Sequence, residues 1–174
     1  IFSYVDDNFS WELDNESRMV YYQKYRKRLP EKQARLLKIW DCLGIPHARG
    51  KQEFNPVLTI IGYQVNLRRM RVTVSDERLE RIVKTLFEFS NGLMVTTSLH
   101  DCRKLAGLVN WALEVNPLLR PALTALHREM AKADQSDGDA QVTITKRVAS
   151  DLHWLAKLFR RSKGIHLTRM CFWD

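Results

Sequence analysis

The chain has 174 residues, enough for one compact domain or two small ones, and 45% of them are apolar, enough to bury a core. A net charge of +8 and a sequence pI of about 9.6 favour a polyanionic partner, nucleic acid first, against the plainer reading of a basic surface serving solubility. No apolar run reaches membrane-spanning length, no signal peptide is visible and no glycine-rich phosphate loop occurs, so membrane and ATPase roles have no support.

The first strand opens at once, and Asp6-Asp7 follows it, before a second apolar run from Phe9 to Leu13. That spacing predicts a tight hairpin with both carboxylates at its tip, though Asp-Asp-Asn is also ordinary turn chemistry. Residues 15 to 28 carry Met19, Val20, Tyr22 and Tyr25 among Arg18, Lys24 and Arg26 to Arg28, which predicts an amphipathic helix with a basic flank. Leu29-Pro30 breaks it, and Pro30 suits the first turn of a second helix with Leu36, Leu37, Trp40 and Leu43 on one face, closed by Gly44. Residues 46 to 56 read as a loop holding Lys51. Val57 to Asn66 and Met70 to Val74 read as a hairpin rich in β-branched residues.

From Ser75 the period changes to helical. Ser75 stands at the cap of a helix led by Asp76 and Glu77, with Leu79, Ile82, Val83, Leu86 and Phe87 inward. Ser98 and Asp101 have capping-box spacing before a helix from Leu99 to about Leu113 that buries Leu105, Ala106, Val109 and Ala112. Pro117 ends the segment, and Pro121 opens a helix to about Lys132. Asp134 to Asp139 reads as a linker, and Thr145 caps a last helix with Val148, Leu152, Leu155 and Phe159 inward, stopped by Gly164 before a possible short strand. Hairpins around helices, then helices only, predict an α+β part followed by a helical bundle.

Cys42, Cys102 and Cys171 are odd in number and far apart, so they predict reduced thiols, with Cys42 and Cys102 buried, in an intracellular protein. The five histidines show no zinc-ligand spacing. Because Ile1 stands directly inside a strand, the chain is expected to be a piece of a longer polyprotein.

Four segments, in order, carry a resemblance. Tyr4-Val5-Asp6-Asp7 resembles the Tyr-X-Asp-Asp catalytic hairpin of reverse transcriptases, Lys51 past Leu43-Gly44-Ile45-Pro46 resembles the lysine loop, Thr59 to Val65 resembles the primer-grip hairpin, and Leu105 to Ala112 resembles the thumb helix that tracks the duplex minor groove. The matched order covers roughly residues 1 to 130 and is similar to retroelement reverse transcriptases, RNA-directed DNA polymerases, of DIRS-type and Ty3-related pattern. The resemblance implies the C-terminal half of a palm over 1–74, a helical thumb over 75–133, and a linker with a connection helix over 134–174, leading toward an RNase H-like domain.

It also implies roles. Asp6 and Asp7 would be Mg²⁺ ligands of a two-metal nucleotidyl-transfer site, and Lys51 an acid for the leaving pyrophosphate, or a point charge, or a solvated loop residue. Ile61, Gly62 and Tyr63 would place the primer end, with Gly62 permitting close backbone approach of another chain; the plain alternatives are a bulge in an ordinary hairpin at Gly62 and a Tyr63 that is simply core. Arg103, Gly107 and Trp111 recur at four-residue steps and, with Asn110, would meet the minor groove of an RNA–DNA or DNA primer–template duplex. Two accounts stay open there: Trp111 packs inside the bundle and Gly107 lets helices approach, or both face the duplex. The implied partners are that duplex, a deoxynucleoside triphosphate and the rest of the polyprotein, with no membrane. Lacking the fingers and the strand with the earlier aspartate, the chain is expected not to polymerise alone. The rival reading is a non-catalytic, nucleic-acid-binding relic.

Overall fold

In the computed structural model the chain is mixed α+β, as the periodicities indicate. The structure describes residues 2–4 and 7 in their backbone, and 8–10, 12, 18–91, 96–133 and 140–167 in full. Two compact units meet in sequence between Ile61 and Gly62.

In the first unit, β1 (Phe2–Tyr4) pairs antiparallel with β2 (Asp7–Phe9), Tyr4 lying opposite Asp7. Asp6 lies outside the described residues. Of the helix expected over 15–28, the described part from 18 onward is instead a second hairpin: β3 (Met19–Tyr22) and β4 (Lys27–Pro30) pair from Met19↔Pro30 to Tyr22↔Lys27, joined through a 3₁₀ turn at Gln23–Tyr25 and a left-handed Arg26. The reason is a period of two at the start: Met19 and Tyr21 face out while Val20 and Tyr22 face in, a pattern that suits a pleated, half-buried surface.

Helix α1 (Glu31–Leu43) follows with Pro30 as its cap rather than in its first turn, and it ends at Gly44 as expected. Ala34 and Leu37 join Tyr22, Tyr25 and Leu29 in a small core, with Trp40 packed at its edge. Leu43, expected inward, is 68% exposed, and Cys42 is exposed as well. Both sit in the last turn, past the stretch of helix that the hairpin covers. A 3₁₀ turn at Arg49–Lys51 lies in the expected loop, and β5 is Val57–Ile60.

The strand expected over Val57 to Asn66 is broken at Ile61 and Gly62, both at positive φ (52° and 86°). In the second unit β6 (Tyr63–Asn66) pairs antiparallel with β7 (Arg71–Val74), Tyr63 opposite Val74, and β7 pairs on its other edge with the last strand, Ile165–His166. Helix α2 (Asp76–Ser90) starts behind Ser75 with Asp76 and Glu77 in its first turn. A short ribbon the periodicity does not reveal forms where β8 (Thr96–Ser98) meets β9 (Gln141–Thr143).

Helix α3 (Leu99–Ala112) has the expected cap: the Ser98 hydroxyl accepts from the Asp101 N–H at 3.1 Å and donates to the Asp101 carboxylate at 2.8 Å. The helix expected from Pro121 begins at Thr124, because Pro117–Leu123 winds as 3₁₀ with Pro121 inside it; α4 is Thr124–Lys132. Helix α5 (Lys146–Arg161) is capped by Thr145, whose hydroxyl accepts from the Val148 N–H at 3.3 Å, and β10 (Ile165–His166) follows it.

One core joins β7 and α2 to α5: Val74, Leu86, Val109, Leu126, Leu155 and Phe159 are all buried in it. Helix α2 packs along α5 more extensively than any other pair of helices. Residues 62 onward therefore group as one unit, where the sequence reading placed boundaries at 74 and 133. The expected linker, 134–139, lies outside the described residues. Among the described residues no helix is long and apolar enough to cross a membrane.

Candidate nucleic-acid interface

Three elements of the second unit converge on one aromatic ring. Gly62 turns the chain into β6, held by the Ser75 N–H donating to its carbonyl at 3.2 Å, so Tyr63 stands opposite Val74, the end of β7 that leads into α2. The Tyr63 hydroxyl donates to the Trp111 carbonyl at the end of α3 at 2.7 Å, and the two rings stack with centroids 4.4 Å apart and planes 19° from parallel. Arg78, from the first turns of α2, lays its guanidinium over the same indole, 4.9 Å from its centroid. Burial first, and then the negative charge of Glu114, push the Tyr63 hydroxyl above the ordinary tyrosine range, while Arg78 works against them. Tyr63 therefore stays protonated and keeps donating at any physiological pH.

Gly62 itself is buried beneath that arginine. A Cβ built there would come within 2.6 Å of Arg78 Cζ, so the close approach that a glycine permits is made by the chain's own guanidinium. The arginine at this junction escaped the sequence reading. Its one signal, a cation in the first turns of a helix that follows a hairpin, is too common to select it.

Helix α3 carries the rest of the predicted set. Arg103, Gly107 and Asn110 are exposed, and Trp111 is half-buried, with Tyr63 and Arg78 on it. A Cβ at Gly107 would meet nothing within 4 Å, so this glycine serves no helix–helix approach among the described residues. The opposite face of α3 is the buried stripe of Cys102, Leu105, Ala106, Val109 and Ala112. Burial, with Asp101 nearby, pushes the Cys102 thiol up to about 11, so it packs as an inert small apolar group. The surface left over is a cation, a bare stretch of backbone and an amide, leading to a cation-capped indole.

The remaining predicted residues lie in the first unit. Asp7 opens β2 across from Tyr4, and the Asp6 expectation falls outside the described residues. Lys51 is exposed at the end of a 3₁₀ turn, where its N–H donates to the Ala48 carbonyl at 3.2 Å. Ile61 is half-buried at the turn. Among the described residues no three His, Cys, Asp or Glu side chains group so as to hold a metal ion. The expected ligands Asp6 and Asp7 would, as two carboxylates, leave most of a Mg²⁺ octahedron to phosphate and water.

A polar cluster in the first unit has no counterpart in the sequence reading. His47, whose side chain is only 2% exposed, hydrogen-bonds Tyr25 through Nδ1 and Asp41 through Nε2, the latter at 3.0 Å. Lys24 and the Tyr22 hydroxyl both donate to the same Asp41 carboxylate. Lys24 first, then Tyr22, hold that carboxyl down at about 2, and burial followed by the Asp41 bond raises Tyr22 above the ordinary tyrosine range. This closed network pins the end of α1 and the loop after it to the 3₁₀ turn of the β3–β4 hairpin. Reading 15–28 as a hairpin would have brought Tyr22 and Tyr25 to one side. Nothing in the spacing marks Asp41 and His47 as their partners.

No family model, no curated protein and no solved structure matches this chain.

Proposed function

We propose that the chain is the rear part of a reverse-transcriptase palm together with its thumb, and that it grips a primer–template duplex. The observation that carries this reading is the Tyr63–Trp111–Arg78 junction: residues singled out separately as primer grip and thumb helix are in direct contact within one unit. From that junction the exposed face of Arg103, Gly107 and Asn110 runs back along α3. An RNA–DNA hybrid presents a wide, shallow groove edged by 2′-hydroxyls. A bare helix backbone at Gly107 lets the groove floor approach, Asn110 offers both a donor and an acceptor, and Arg103 and Arg78 supply charge for phosphates. Recognition by such a face is shape-directed rather than base-specific.

For the parent enzyme the resemblance further implies that Asp6 and Asp7 contribute to a Mg²⁺ site and that Lys51 serves the departing pyrophosphate. Those three residues carry the catalytic half of the proposal, and the junction on α3 carries the binding half.

The test is fluorescence anisotropy of a labelled RNA–DNA hybrid across a salt series. Binding at low salt should fall steeply as salt rises. Arg78→Gln should reduce the salt slope by about one if it neutralises a phosphate, and Asn110→Asp should weaken binding about tenfold by setting a carboxylate against the groove. A chain that ignores the hybrid at low salt, or an Asn110→Asp variant that binds as the parent does, would sink the reading.

A further inference from the structure

The outer face of α5 sets an exposed indole among cations. The helix fills the core with Val148, Leu152, Leu155 and Phe159, all buried, so its packing needs no further large side chain. Yet Trp154 stands on the opposite side, 51% exposed. Exposing an indole forgoes the burial of one of the largest apolar side chains, so the position calls for a partner outside the core.

The surroundings say which kind. From Lys146 to Arg161 the helix carries five Lys or Arg and a single acid, Asp151. Arg147 and Arg161 lie seven residues to either side of Trp154, within about 20° of it around the helix and about 10 Å along the axis each way. Lys157 lies one turn on, about 60° round. All three cations are exposed, and among the described residues no carboxylate pairs with Lys157 or Arg161. Arg147 meets Asp151 at 3.0 Å, but its side chain is 80% exposed, and an exposed i,i+4 pair is worth too little to keep it from a phosphate. The cation on the far flank, Arg160, is already engaged over the Phe87 ring, 5.0 Å from its centroid.

We propose that this face of α5 is a stacking platform for single-stranded nucleic acid: Trp154 takes an unpaired base, and Arg147, Lys157 and Arg161 take the phosphates on either side. A flat ring flanked by cations matches a strand whose bases are free to stack. A duplex keeps its bases paired and inside, and could offer this face only its phosphates. An apolar protein partner would require a broad apolar patch around Trp154, whereas its neighbours along the helix are Ser150, Asp151, Lys157 and Arg161, with half-buried Leu158 the single apolar one. The surface is separate from the α3 face and does not depend on that reading.

The experiment uses the full chain, with labelled oligothymidylate and a labelled blunt DNA duplex as probes. Trp154→Ala should lose at least about fivefold in affinity for oligothymidylate, the low end of what one stacked base contributes, and should leave duplex affinity unchanged. Trp154→Phe should keep most of the single-strand affinity. Arg161→Gln should lower the salt slope for oligothymidylate. Thermal melts of the variants should match the parent, since none of these side chains fills the core. Equal oligothymidylate affinity in the parent and in Trp154→Ala, or no binding of oligothymidylate by the parent at low salt, overturns the proposal. The Asn110→Asp duplex titration reads the α3 face independently.

Discussion

Gly107→Ala separates a surface kept bare for a ligand from one shaped by packing. Gly107 is interior to α3, where glycine is about 0.8–1 kcal/mol less favourable than alanine. A Cβ there meets nothing within 4 Å, so no steric cost offsets the gain. The variant should therefore be more stable by about 1 kcal/mol, about fivefold in the folding equilibrium, which for a unit of this size raises the melting temperature by roughly 4 °C. Urea titration followed by circular dichroism should show a higher midpoint with an unchanged slope. The same methyl stands where the groove floor would approach, so hybrid affinity should drop while stability rises. A loss of stability would mean that something packs on this face, and the α3 interface would then be refuted at its base.

Four further outcomes follow from the geometry. Tyr63→Phe should cost about 1 kcal/mol, the net value of one hydrogen bond, and Tyr63→Ala about 3 kcal/mol or more as the stacked ring is lost as well; denaturant melts check both. Gly62→Ala should destabilise by about 1–2 kcal/mol from its left-handed backbone alone, and near-ultraviolet dichroism should change as Arg78 is pushed from the indole. Asp41 has a carboxyl pKa depressed to about 2, so its contribution is present above the ordinary carboxylate range and is lost as pH falls through about 2; Asp41→Asn should flatten the acid limb of an unfolding titration. The purified chain should give no Mg²⁺-dependent primer extension, and any extension product on a gel would contradict the reading that it carries only part of the nucleotidyl-transfer site.

How far the site was legible depended on the range of the interactions. The exposed positions of α3 follow from period alone, because a 3.6-residue repeat that buries Leu105, Val109 and Ala112 must leave Arg103, Gly107 and Asn110 outside. The contact of Tyr63 with Trp111 spans 48 residues and rests on a turn at Ile61–Gly62 that β-branched composition had hidden inside a longer strand. Arg78 illegibly joined them, since its role comes from the hollow over Gly62 and not from any motif. The His47 cluster failed to show for the same reason: Tyr22, Lys24, Asp41 and His47 are brought together only once 19–30 folds as a hairpin.

Local chemistry, then, was written in the chain: the caps at Ser98 and Thr145, the stop at Gly44, the inward stripes of α2, α3 and α5, and the basic balance of the surface. These depend on neighbours within about four residues, and short-range hydrogen bonding and helical period suffice to set them. Only the tertiary structure decided that residues 19–30 pair as strands, that α5 shares one core with α2 through α4, and that an arginine caps the tryptophan stacked on Tyr63. Those outcomes are settled by which apolar faces cover one another, and burial has no sequence range.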